Sequence, residues 1–153
     1  MQKLNLGAGN NILPEGPGET VINHDITRHR PEIDVVHDLN QRPWPWADAS
    51  ADMIIARSVF EHLQLDLVET LDECWRILKP GGLLYVKVPY WKAENAWMDP
   101  QHRWRWAPHV FDYFDPDTAF GKEYGYYTAK KWQLVKPSET TSTAIHVTMR
   151  VRK

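Results

Sequence analysis

The chain has 153 residues, of which 42% are hydrophobic and 25% charged, as in one ordinary globular domain. A net charge of -2 gives no electrostatic basis for binding nucleic acid or an anionic membrane surface. No apolar run reaches membrane-spanning length, and the single Cys74 cannot form an internal disulfide, so we expect a cytoplasmic protein.

The first predicted strand, Lys3–Leu6, runs directly into Gly7-Ala8-Gly9. Glycines at this point let the backbone turn sharply and let a ligand approach closely. Asp25 ends the next strand, where an acid would hold the ribose hydroxyls of an adenosine. The pattern indicates a nucleotide-type cofactor on a parallel α/β sheet. A dinucleotide is disfavoured, because Ile12 stands where the nicotinamide fingerprint has its third glycine.

The remaining elements are predicted from hydrophobic periodicity. One clear helix follows Asp66, which forms a capping pattern with Glu69, and the run Lys79-Pro80-Gly81-Gly82 stops it. A helix between two strands predicts a parallel pair, whereas the last two strands suit an antiparallel hairpin. The later predicted strands are Thr20–His24, Asp34–His37, Asp52–Ala56, Leu83–Val88, Trp132–Lys136 and Thr143–Arg152.

This order of motifs resembles the class I S-adenosylmethionine-dependent methyltransferases, particularly the small-molecule type 11 group. The resemblance covers about residues 3 to 91 and implies one Rossmann-like domain over residues 1–153. Its residues are Leu4-Asn5-Leu6-Gly7-Ala8-Gly9, His24-Asp25, His37-Asp38-Leu39, Asp52-Met53-Ile54-Ile55-Ala56-Arg57-Ser58, Phe60-Glu61-His62-Leu63 and Arg76-Ile77-Leu78-Lys79-Pro80-Gly81-Gly82.

The resemblance implies S-adenosylmethionine as the cofactor. Asp25 would accept from the ribose hydroxyls, and Asp38 from the adenine amino group beside the Leu39 N–H. A capping or turn role is the alternative for both acids. The implied cofactor-binding residues are Leu6, Gly7, Ala8, Gly9, Asp25, Asp38, Leu39, Arg57 and Ser58.

The chain departs from the family in its helices. Residues 10–20, 26–33 and 39–51 are short and rich in Pro or Gly, so the helices that usually follow the first three strands are expected to be missing. Several strands alternate apolar and polar residues, and Lys87 lies in a central strand. One sheet face is therefore predicted to be lightly covered, protected by a homodimer or by the chain's own Trp-rich arm.

Three residues are candidates for chemistry at the acceptor. His62 could take a proton near neutral pH, or it packs at the start of the helix. The segment Asp99–Trp104 could form a lid that carries His102 and Arg103 to the site, or it is a structural arm. The seven His are scattered and show no metal-binding spacing, so no metal site is expected.

Five of the eight Trp lie in two groups, at Trp44 and Trp46 and within residues 97–106. They either cover the edges of the core or provide a stacking surface for a substrate. The expected function is methyl transfer to a small polar acceptor that is sugar-like or anionic. The alternatives are a catalytically inactive S-adenosylmethionine-binding module, a nicotinamide oxidoreductase and, against the overall charge, a nucleic-acid methyltransferase.

Overall fold

Eight strands form one sheet in the computed structural model, which describes residues 1–153. The two helices are α1, Leu67–Ile77, and α2, Ala119–Tyr124. The strands are β1 Gln2–Leu6, β2 Thr20–Asp25, β3 Val35–Val36, β4 Ala51–Arg57, β5 Leu78–Pro89, β6 Lys131–Leu134, β7 Glu139–Thr140 and β8 Ala144–Arg152.

The spatial order of the strands is β3-β2-β1-β4-β5-β8-β6, and β7 pairs with the N-terminal part of β8. Strands β1 to β5 are parallel to one another, whereas β8 is antiparallel to both β5 and β6. The mostly parallel sheet with a C-terminal antiparallel hairpin is thus confirmed. The chain leaves β1 towards β2 and β3 and returns to β4 on the other side, which creates a topological switch point beside β1.

Helix α1 begins with the predicted capping box. The Asp66 carboxylate accepts from the Glu69 N–H at 2.8 Å, and the Glu69 carboxylate accepts from the Asp66 N–H at 3.1 Å. The apolar side of α1 packs on one sheet face, where the alternate strand residues are buried. The buried residues of this core include Leu4, Leu6, Ile54, Ala56, Leu84, Val86, Val88, Leu71, Cys74 and Ile77.

The opposite sheet face has no helical layer over the first strands, as predicted. Asn5 donates to Asn23 at 2.8 Å and to the Asn11 carbonyl at 2.9 Å. Asn23 in turn bonds both backbone groups of Leu13, at 3.0 and 3.1 Å. A buried amide network therefore fastens the loop after β1 to the sheet in the place of a helix.

Helix α2 and the short 3-10 turns were not predicted. Helix α2 spans six residues and is preceded by the N-cap residue Thr118, whose side chain accepts a hydrogen bond from the Gly121 N–H. Elements of one or two turns carry too little periodicity to be recognised in a sequence. Neither helix is long and apolar enough to cross a membrane.

Candidate active site

A cavity of about 850 Å³ opens at the carboxyl ends of β1 to β4, at the switch point of the sheet. The segment after β5 closes its far side through Pro100, Gln101, His102 and Arg103. Eight of the twelve predicted site residues line this cavity: Gly7, Asp25, Asp38, Leu39, Ser58, His62, His102 and Arg103. The other four, Leu6, Ala8, Gly9 and Arg57, do not line it.

The turn after β1 requires both of its glycines. Gly7 and Gly9 have φ values of 56° and 51°, in the left-handed region that favours glycine. A Cβ on Gly7 would stand 2.5 Å from a methyl group of Val59, whereas a Cβ on Gly9 would meet nothing within 4 Å. The turn is thus tightly packed at Gly7, which lines the cavity, and open at Gly9, which does not.

His24 supports this turn and was not predicted as a site residue. Its Nδ1 lies 3.3 Å from the Gly7 N–H, and its Nε2 lies 2.9 Å from the His37 carbonyl. Because the Gly7 N–H can only donate, Nδ1 accepts and Nε2 carries the proton. Burial lowers the pKa of His24 and so favours this neutral form. Only the position of His24 beside Asp25 could have drawn attention to it.

Asp25 fits the predicted role at the ribose. One carboxylate oxygen accepts from the Gly9 N–H and the other from the Ile26 N–H, each at 2.7 Å. A carboxylate offers about four lone-pair sites, so two remain for the hydroxyls of a diol. The same bonds hold the carboxylate in position against the glycine turn.

Asp38 and Leu39 present an acceptor and a donor side by side. One oxygen of Asp38 accepts from the backbone and the side chain of Asn40, at 2.9 and 3.0 Å, which leaves the other oxygen free. The Leu39 N–H has no acceptor within the protein. This pairing of groups suits the edge of an adenine, which has an amino donor next to a ring-nitrogen acceptor.

Arg57 and Ser58 separate at the end of β4. The Arg57 side chain lies on the lightly covered sheet face, in register with Lys87 and His146, and donates to the Asn11 carbonyl at 3.4 Å. Ser58 lines the cavity with a φ of 56°, an unusual value for a residue other than glycine. Of the pair, only Ser58 stands beside the space that a ligand would fill.

Glu61 and His62 lie on a single 3-10 turn, Phe60–His62, after β4. Glu61 is completely buried, and neither carboxylate oxygen has a hydrogen-bond donor. Burial, reinforced by the charge of Asp99, raises the pKa of Glu61 to about 7. Burial and the neighbouring His102 lower the pKa of His62.

The segment after β5 folds over this turn and delivers His102 and Arg103 to the cavity. The N–H groups of Arg103 and Trp104 both donate to the Glu61 carbonyl, at 2.7 and 3.4 Å. The Trp104 indole N–H donates to the carbonyls of Leu63 and Leu65, at 2.9 and 3.1 Å. These bonds anchor the segment, and the Arg103 guanidinium pairs with no carboxylate of the chain.

No Trp lines the cavity. Trp44, Trp46 and Trp106 are buried in the core, as the first interpretation of the Trp groups has it. Trp97 is 60% exposed and lies under the Arg105 guanidinium, 4.7 Å from its ring centroid. The stacking surface predicted as the alternative is therefore not part of this cavity.

Residues 18–86 match the family described as "Methyltransferase domain". The "Probable S-adenosylmethionine-dependent methyltransferase" of Mycolicibacterium smegmatis is 37% identical over 71 residues, which are 46% of this chain and 26% of that protein. Malonyl-acyl-carrier-protein O-methyltransferase 1 of Coxiella burnetii is 52% identical over 40 residues, 26% of this chain and 14% of that enzyme. The chain thus matches about a quarter or less of the length of these curated relatives.

Solved structures share the whole fold at low sequence identity. The YcgJ protein of Bacillus subtilis superposes with a TM-score of 0.66 and 15% identity, over 99% of this chain and 92% of that one. A SAM-dependent methyltransferase from Aquifex aeolicus superposes with a TM-score of 0.62 and 15% identity, over 99% and 82%. The Rossmann-like sheet is therefore present although several helices are absent.

Proposed function

We propose that this chain is a class I S-adenosylmethionine-dependent methyltransferase that transfers a methyl group to a small polar acceptor. The family implies S-adenosylmethionine as the cofactor, and the free acceptor sites of Asp25 and Asp38 suit its adenosine part. One observation supports the proposal above the others: a single cavity joins these residues to His62, His102 and Arg103.

The chemistry needs alignment more than acid or base assistance. When bound, the cofactor supplies a sulfonium methyl group: the acceptor lone pair bonds to that carbon while the carbon–sulfur bond breaks and its electrons stay on sulfur. Holding the two reactants in line supplies much of the rate enhancement for such a displacement. The glycine turn, Asp25 and Asp38 would orient one reactant, and the anchored segment at Arg103 would orient the other.

The acceptor is proposed to be polar or anionic because of Arg103. Its side chain is at the cavity, exposed and without a carboxylate partner, so it can pair with an acceptor's negative charge. Since no Trp lines the cavity, the proposal does not include ring stacking. The alternative, an inactive binding module, is less favoured because the cavity extends beyond the adenosine-binding residues to His62 and His102.

Calorimetry with S-adenosylhomocysteine tests the cofactor site. Asp25→Ala and Asp38→Ala should each weaken binding by about 10- to 100-fold, because a hydrogen bond to a charged group contributes about 1.5 to 3 kcal/mol. Glu32→Ala is the matched control, an exposed carboxylate of the same region that makes no bond, and should bind as the wild type does. Absence of binding to the folded wild type would refute the proposal.

The acceptor side is tested with His102→Ala combined with Arg103→Ala. Cofactor affinity should stay within a few-fold, since neither residue makes a hydrogen bond or ion pair with Asp25 or Asp38. Transfer of labelled methyl from S-adenosylmethionine to a panel of hydroxy acids, sugar phosphates and phenols should be lost. Unchanged transfer in this folded variant would place the acceptor elsewhere.

A cytoplasmic location and a homodimer are further proposals. Cys74 is a free thiol and is buried in the core, which suits a reducing compartment. Fractionation of the native cells tests the location. The homodimer follows from the lightly covered sheet face and is tested below.

A further inference from the structure

Glu61 is a buried carboxylate with no partner. It is 0% exposed, and both of its side-chain oxygens lack a donor, although its backbone carbonyl accepts from Arg103. Polar groups in protein interiors are almost always satisfied, and an isolated carboxylate is the most unfavourable exception. A group that brings positive charge to these oxygens would remove the penalty.

Two imidazoles lie beside this carboxylate. The rings of His62 and His102 are 4.6 Å apart between centroids and nearly perpendicular, at 73°. One nitrogen of each ring and one Glu61 oxygen all lie within 4.8 Å of one another. The Nδ1 of His102 lies 3.4 Å from the Ala96 carbonyl, which leaves its Nε2 as the ring nitrogen available to ligate a metal ion. A backbone carbonyl holding the other ring nitrogen is the usual support of a metal-bound His.

We infer that Glu61, His62 and His102 bind a divalent transition-metal ion. Two imidazoles and one carboxylate form a donor set that suits Zn²⁺, whereas Mg²⁺ and Ca²⁺ prefer oxygen ligands alone. Ligands of a tetrahedral Zn²⁺ are ~3.3 Å apart, so the three side chains must draw in by ~1 Å or more. Their backbones are already clamped, because residues 103 and 104 donate to the Glu61 carbonyl.

The ion would also face the acceptor. His62 and His102 line the cavity while Glu61 lies behind them, so the remaining coordination position opens into the cavity. An acceptor with a hydroxyl or carboxylate oxygen could occupy it, and this part of the inference rests on the proposed function. Asp99, with an oxygen 3.9 Å from the His102 Nε2, is the one further carboxylate at the site.

Calorimetric titration of chelator-treated protein with Zn²⁺ tests the site. We expect one ion per chain in the wild type. Glu61→Gln, which keeps the shape of the side chain, and His102→Ala should each lower affinity by more than ~100-fold, since loss of only a supporting partner costs ~10- to 100-fold. His109→Ala removes an exposed imidazole that lies beside Asp112 at 2.8 Å, and should bind as the wild type does. Equal affinity in all four proteins, or no binding to the wild type, would overturn the inference.

A second measurement does not depend on the folding of variants. Co²⁺ added to the wild type should give the intense visible bands of a four- or five-coordinate site, and Zn²⁺ should protect His62 and His102 from acylation by diethyl pyrocarbonate. Acetohydroxamate should shift the Co²⁺ bands if a position is open to the cavity. Unprotected His62 and His102 would overturn the site, and unshifted bands would overturn the acceptor's place on the ion.

The two proposals fail separately. Zn²⁺ binding is measured without cofactor, and S-adenosylhomocysteine binding is measured with chelator present. If only S-adenosylhomocysteine binding is absent, the proposed function fails and the metal site remains. If only Zn²⁺ binding is absent, the chain remains a proposed methyltransferase whose acceptor is positioned by protein groups.

Discussion

Gly7 carries two constraints and Gly9 only one. Both have a positive φ, but only Gly7 would also place a Cβ against Val59, at 2.5 Å. Val59 is itself a buried lining residue of the cavity, so the turn after β1 and the turn after β4 are packed against each other. The second requirement comes from a contact between distant segments, and the glycine spacing alone does not reveal it.

Gly9→Ala should lower the free energy of unfolding by about 1 to 2 kcal/mol, the cost of a left-handed residue with a side chain. Gly7→Ala should cost a further ~1 to 3 kcal/mol, because the new methyl group overpacks against Val59. Urea unfolding of both variants measures the difference. Adding Val59→Ala should recover part of the Gly7→Ala loss, and no recovery would show that the contact with Val59 is unimportant.

His24 links the stability of the glycine turn to pH. Burial lowers the pKa of His24 below the ordinary value of about 6.5. The charged neighbours of the ring are Asp25, which raises this pKa, and His37, which lowers it. Below pH ~6.5 the unfolded chain takes up a proton that the folded chain resists. The contribution of neutral His24 to the free energy of unfolding is therefore fully present above pH ~6.5, and it is lost as the pH falls through the lowered pKa of the folded state.

His24→Gln removes this titration while keeping a donor and an acceptor. The stability advantage of the wild type over the variant should be largest at pH 7 to 8 (about the range above both pKa values) and should shrink as the pH falls. Urea unfolding over a pH series measures it. A difference that stays constant with pH would show that His24 does not resist protonation.

At the scale of elements, α1 was predictable and α2 was not. The capping box of Asp66 and Glu69 and the long apolar stripe of α1 are local signals. Helix α2 instead depends on a close approach of Gly121 to Asp115, whose carbonyl oxygen would lie 1.8 Å from an added Cβ. Asp115 is buried and accepts from the Leu134 N–H of β6 at 2.7 Å, so α2 is held to the sheet through this residue.

Gly121→Ala should therefore destabilise the protein by about 3 kcal/mol or more, at the upper end for overpacking, because backbone must move. Gly125→Ala is the matched control: its Cβ would lie 3.5 Å from the end of the Lys131 side chain, and its φ is -61°. The control should change stability by less than ~1 kcal/mol. Thermal unfolding measures both, and equal losses would contradict the proposed contact.

At the scale of the whole molecule, the sheet has one covered and one lightly covered face. Met53, Ile55 and Leu83 stay half-buried on the second face, which no helix covers. Arg57 and Lys87 lie on the same face and pair with no carboxylate. The Trp-rich segment, residues 97–106, packs over the carboxyl edge of the sheet. There it donates hydrogen bonds to the backbone carbonyls of Glu61, Leu63 and Leu65.

We expect the chain to form a homodimer, because Met53, Ile55 and Leu83 remain partly exposed on a sheet face that no helix covers. Light scattering after gel filtration, at tens of micromolar protein, should give twice the mass of the chain. A monomer mass at every concentration would contradict the expectation. The half-buried side chains of this face would then have no partner chain to cover them.

The sequence by itself determined most of the strands along the chain, the glycine turn, the capping box and the positions of Asp25 and Asp38 at strand ends. These depend on backbone conformation and on the alternation of strands and turns, which are local. Only the tertiary structure decided that His24 supports the turn and that Arg57 lies away from the cavity. It also decided that His102 meets Glu61 and His62, because two N–H groups of a distant segment bond to one carbonyl, and no residue pattern along the chain records that contact.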